Sequence, residues 1–123
     1  MAITTEFEFR EGILYVKASG QDESVDDVIG YGQAVIEQAV RHQASRILAD
    51  ETALVYRIGT FDLFASAKVL AENTPHITQS ALVVNPDQVK DAQFFETVAV
   101  NRGLDVRMFT DIDQARKWLR VDD

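Results

Sequence analysis

Two hydrophobic rhythms take turns along this chain, and their alternation constrains the fold more than any other feature. Short apolar runs of strand length alternate with stretches in which apolar residues return every three or four positions, the spacing of a helix face. Phe7-Glu8-Phe9, a turn at Glu11-Gly12 and Ile13 to Ala18 read as a hairpin of two strands. Gly20 to Glu23 is a polar break, and Ser24 with Asp27 three residues on is a helix start. Val25, Val28, Ile29, Gly32, Val35, Ile36, Ala39 and Val40 then form one helical stripe.

The rhythm repeats. Arg46 to Asp50 reads as a third strand, and a second helix begins at Thr60 with Phe61, Phe64, Ala67 and Leu70 on one face. Asn73-Thr74-Pro75 stops it, because the residue before a proline avoids helical angles. Ala81-Leu82-Val83-Val84 is the clearest strand, and four apolar residues in a row imply burial on both faces. Asn85-Pro86 opens a third helix carrying Val89, Ala92, Phe95, Val98 and Ala99, which Gly103 closes. Leu104 to Phe109 is the last strand, and Thr110 with Asp113 caps a final helix containing Ala115, Trp118 and Leu119. Trp118 is expected to be buried there. The order β-β-α-β-α-β-α-β-α demands crossovers, so the fold class is α/β, with a mixed, mostly parallel sheet and an antiparallel N-terminal strand.

With 123 residues there is room for one good core, so residues 1–123 are read as one domain. Hydrophobic residues at 46% exclude a disordered chain. The absence of cysteine removes disulfides, thiolate nucleophiles and cysteine-ligated metal sites, and it suits a cytoplasmic location. Met1 to Glu6 has neither a basic start nor an apolar run, so no signal peptide is expected. No apolar stretch approaches the roughly 20 residues of a membrane span. A net charge of −8 repels phosphate backbones, so no nucleic-acid partner is expected. The basic spots at Arg41/Arg46 and at Arg116/Lys117/Arg120 are read as charges near helix C-termini.

The residues offer little chemistry. His42 ends the first helix and His76 follows Pro75, and neither stands beside a nucleophile motif. Gly30-x-Gly32 lies inside a helix with Val35 beyond it, so it is no dinucleotide fingerprint. Asp22, Glu23, Asp26 and Asp27 match no calcium loop, and the helix dipole accounts for them. A phosphoryl-receiver site would need a lysine after the last strand, where Thr110-Asp111 stands. No catalytic residue, metal or cofactor is therefore expected, and the chain is read as a non-enzymatic module.

A contact site is expected beyond the carboxyl ends of the strands, where open α/β sheets gather ligands. Asp50 and Glu51 stand there, followed by a connection from Ala53 to Phe61 that is unusually apolar for a loop. Leu54, Tyr56, Ile58, Phe61 and Phe64 complete the candidate binding set.

The segment from Phe94 to Phe109, running on into Thr110 to Leu119 with its Ala-x-x-Trp-Leu ending, resembles the SpoIIAA-like branch of the STAS domains. That branch includes proteins shaped like CRAL-TRIO lipid-binding domains. Ala18-Ser19-Gly20 and Ile47 to Glu51 carry the same likeness, which spans nearly the whole chain. The resemblance implies a bacterial, non-enzymatic domain. Some relatives are anti-sigma-factor antagonists that bind a kinase partner and are switched by phosphorylation of a serine in an Asp-Ser-Ser-Gly turn. Here Ile58-Gly59-Thr60-Phe61 occupies that place; Thr60 falls near the modified position, and the flanking aspartate and glycine are missing. Two functions remain open: binding of a small hydrophobic molecule beneath the 53–64 segment, or a protein-interaction or phospho-switch module around Thr60. Self-association as a homo-oligomer is left open as well.

Overall fold

The computed structural model describes residues 3–55, 57 and 79–120. Two strands open the chain, β1 (Ile3–Arg10) and β2 (Ile13–Gln21), paired antiparallel from Ile3↔Gly20 to Arg10↔Ile13. Their two-residue link, Glu11-Gly12, has positive φ at both positions (53° and 81°), the geometry that matches the twist of a tight hairpin. Helix α1 (Val25–His42) crosses over to β3 (Arg46–Val55). Further on come β4 (Gln79–Val84), a 3-10 turn (Pro86–Gln88), α2 (Val89–Asn101), β5 (Val106–Phe109) and α3 (Ile112–Leu119). The helix expected from Thr60 lies outside the described residues.

The strands stand side by side in the order β1-β2-β3-β4-β5, and every pair after the first is parallel. This is the mixed sheet that the alternation demanded. Ile13 and Leu14, adjacent in sequence, are both buried because each faces a different layer. Leu14, Val16, Ile47 and Ala49 pack with Ala39 of α1, flanked by Tyr31, Val35 and Leu82. On the other face Ile13, Leu48, Ala81 and Val83 pack with Ala115 and Leu119 of α3. Burying each such Leu or Ile side chain contributes about 1.5–3 kcal/mol.

Local signals set most of the helix ends. Ser24 is the N-cap of α1, its hydroxyl accepting the Asp27 N–H at 3.3 Å, while Asp27 accepts the Glu23 N–H at 2.8 Å. Gly103 (φ 95°) closes α2 through a bond from its own N–H to Val100 and one from the Leu104 N–H to Ala99.

Several expectations need correction. β2 runs on through Gly20 and Gln21, where a polar break was expected, and β3 continues to Val55 rather than ending at Asp50. The cap of α3 is Asp111, which accepts the Asp113 N–H at 2.8 Å, and not Thr110 one residue earlier. Trp118 is half-buried, packed beside the core with its ring centroid 5.8 Å from that of Phe109, while Ala115 and Leu119 take the buried positions. Arg46 serves a helix other than the one it follows. Its guanidinium donates to the Leu119 carbonyl at 2.6 Å and the Arg120 carbonyl at 3.2 Å, satisfying the C-terminus of α3.

Candidate functional site

The carboxyl ends of β2 and β3 gather the buried acidic groups of the described structure. Their geometry starts from a fault in the β2–β3 pairing. Lys17 pairs with Asp50 and Ser19 with Ala53, so β3 carries one more residue than β2 across that step. This is a β-bulge, and it changes the phase of the strand. On the α1 side the buried positions run Ile47, Ala49, Glu51 and then Leu54. Asp50 builds the bulge from within: its Oδ1 accepts the Thr52 N–H at 3.0 Å and the Thr52 hydroxyl at 2.7 Å.

The bulge delivers Glu51 into the interior, where the residue is only 2% exposed. There Tyr31 of α1 donates its hydroxyl to Glu51 Oε2 at 2.6 Å, a short bond that fastens the helix to the bulged strand. A second carboxylate, Asp22, follows β2 directly and is 1% exposed. Its Oδ1 accepts the backbone N–H of Arg57 at 2.5 Å, while its own backbone N–H donates to the Val55 carbonyl at 3.2 Å. The Arg57 guanidinium reaches back to the Gln21 side chain at 3.1 Å. The ends of β2 and β3 are thus stitched together two residues beyond the last strand residue, Val55.

Of the candidate contact residues, Asp50 is half-buried in the bulge, and Glu51 and Leu54 are buried. Leu54 is 3% exposed and packs among Ile3, Ala18 and Tyr31, so it belongs to the strand and the core rather than to a loop. Tyr56, Ile58, Thr60, Phe61 and Phe64 lie outside the described residues, as does His76. Three residues of this site, Asp22, Arg57 and Tyr31, were not among the candidates read from the sequence. Asp22 stood in an acidic run ascribed to the helix dipole, and Arg57 acts here first through its backbone. Tyr31 was the most legible, since it stands three residues after Val28 and four before Val35 on the helical stripe.

The arrangement uses its carboxylates to position backbone N–H groups and neighbouring hydroxyls. His42 stacks on Phe9 at 5.0 Å near the hairpin, at the opposite end of the sheet. Among the described residues, no group of three histidine, aspartate or glutamate side chains is placed to hold a metal ion. None of the described helices is long and apolar enough to cross a membrane.

A five-stranded sheet of this order, antiparallel only at its first pair and covered by α1 on one face and by the C-terminal helix on the other, defines a small α/β module. Its family follows from the sequence itself: the SpoIIAA-like family model matches residues 13–120, and the chain belongs to that family. The fold is similar to that of an anti-sigma factor antagonist from Mycobacterium paratuberculosis, with a TM-score of 0.63 and 19% identity, covering 96% of this chain and 94% of that one. It is also similar to an uncharacterised protein with a SpoIIAA-like fold from Shewanella loihica, with a TM-score of 0.55 and 17% identity, over 96% and 94% of the two chains. No curated protein matches the sequence.

Proposed function

We propose that this chain is a cytoplasmic, non-enzymatic regulatory module that works by binding a protein partner at the carboxyl rim of β2 and β3. The observation that carries this reading is the use of the two buried carboxylates. Asp22 and Glu51 hold the Arg57 backbone and Tyr31. Buried acids engaged in this way define a shape. What that shape offers outward is Thr52, Ala53 and Val55, exposed on the last turns of β3, with Val55 44% exposed. In this reading Asp50 sets the bulge, Tyr56, Ile58, Phe61 and Phe64 extend the contact surface, and Thr60 is the position at which phosphorylation would regulate it. The family and the fold it shares with an anti-sigma factor antagonist favour a protein partner.

Binding of a small hydrophobic molecule is the second reading, and it draws on the exposed Val55 beside the apolar 56–64 sequence. One pair of measurements separates the two. A photo-crosslinking residue at Thr52 should yield a discrete protein adduct in cells, while the same residue at Glu11, in the exposed hairpin turn at the other end of the sheet, should not. If position 52 gives no adduct and the purified protein carries a lipid by mass spectrometry, the protein-partner reading is overturned in favour of the second.

A further inference from the structure

A cleft of about 290 Å3 opens where β4 and β5 end, close to the lower bound of small-molecule sites at roughly 300 Å3. Its apolar lining comes from Val84 at the end of β4, Val89 at the start of α2, and Met108 and Phe109 at the end of β5. Its polar lining comes from four further residues: Gln93 one turn along α2, Arg107 and Thr110 at the end of β5, and Gln114 in the first turn of α3. The frame is fixed from behind. Glu96 of α2 accepts the Met108 N–H at 2.6 Å, tying the outer edge of β5 to the helix, and Asp111 caps α3.

Arg107 is the unusual member of this set. Its guanidinium carbon lies 5.7 Å from the centroid of the Phe109 ring, and no carboxylate among the described residues pairs with it. Arg10 and Arg41, by contrast, each meet a glutamate, Glu8 and Glu37. In a chain of net charge −8 an arginine beside a cleft with no carboxylate partner among the described residues is a cation available to a ligand. Its planar fork matches a carboxylate, and the ring beneath it restricts how it can point. The cleft then supplies amide and hydroxyl donors around an apolar floor.

We infer that the β4–β5 cleft binds a small organic monocarboxylate, with Arg107 taking the carboxylate and Val84, Val89, Met108 and Phe109 taking its apolar body. A single arginine sets the limit on charge, because it leaves any second anionic group of the ligand without a cation. Selection is therefore for a single carboxylate over phosphate or a dicarboxylate. This site is separate from the β2–β3 rim and does not depend on the function proposed for it.

The test is a titration of the isotope-labelled protein with benzoate, followed by backbone amide NMR. The expected result is saturable shifts confined to Val84, Val89, Gln93, Arg107 to Thr110 and Gln114, with benzylamine and inorganic phosphate giving none. Arg107→Gln should weaken benzoate binding by about tenfold or more, the loss expected for a hydrogen-bonded charge partner. Gln93→Phe, on an exposed position of α2, should weaken it by filling the mouth, and it decides the matter should Arg107→Gln lose its native spectrum. The inference is overturned if benzoate gives no saturable shift, if benzylamine or phosphate binds as well, or if both variants bind benzoate like the parent.

Discussion

Two neighbouring stretches of the same sheet edge treat their polar groups in opposite ways. At the carboxyl ends of β2 and β3, Asp22 and Glu51 are buried and engaged with backbone and with Tyr31, and Leu54 is buried among Ile3, Ala18 and Tyr31. At the ends of β4 and β5, Arg107, Gln93 and Gln114 line a cleft, and Arg107 lies over a ring with no carboxylate partner among the described residues. Position beyond the strand ends is common to both, so position alone does not make a site. The difference lies in whether the polar groups are already used. A committed carboxylate shapes a surface, whereas an uncommitted arginine beside a cavity can take a ligand.

The largest expected effect tests the filled end. Leu54→Ala removes a buried side chain packed on Ile3, Ala18 and Tyr31, and it should cost about 2–5 kcal/mol in urea unfolding. A loop residue covering a ligand would lose little, within about 0.5 kcal/mol as for most surface changes. A cost that small would return Leu54 to the contact surface and break the contrast between the two ends.

Asp22→Ala comes next. It deletes the acceptor of the Arg57 N–H, and a hydrogen bond to a charged group is worth about 1.5–3 kcal/mol. The more telling readout is local. Amide hydrogen exchange at Arg57 should be slow in the parent and fast in the variant, while exchange in the central strand at Ala81 to Val84 falls only with global stability. Unchanged protection at Arg57 would mean that Asp22 holds nothing there.

These residues also mark where the sequence stops being legible. Ala81 to Val84 announced a strand buried on both faces, and Ser24 with Asp27 announced a helix start, because both signals are local. The end of β3 was hidden by the bulge. Asp50, Glu51 and Thr52 break the apolar run, and the extra residue shifts Leu54 by one place, so period-two counting fails at the point where the site begins. Asp22 was indistinguishable from Glu23, Asp26 and Asp27, since only the approach of Arg57, 35 residues away, makes it the buried one. Arg46 was assigned to the helix that precedes it, and only the tertiary fold brings it to the end of α3, 73 residues on. The α3 cap moved from Thr110 to Asp111 because two good capping residues stand side by side, and sequence gives no reason to prefer either.

The smallest expected effect is the sharpest discriminator. Arg107→Gln should change stability by less than about 1 kcal/mol, because an exposed guanidinium over an aromatic ring contributes roughly 0.5–1 kcal/mol. The residue is exposed, and no ion pair among the described residues is broken by its loss. A binding residue kept for its chemistry should behave in this way, with little effect on folding and a large effect on the ligand. Denaturant unfolding of the parent and Arg107→Gln, in the absence of benzoate and at saturation, reads both properties in one experiment. Ligand that binds only the native state raises the unfolding midpoint of the parent. The same concentration should raise that of Arg107→Gln far less, while the ligand-free midpoints nearly coincide. A loss of several kcal/mol without ligand would instead make Arg107 a structural residue like Asp22, and the two ends of the sheet would no longer differ.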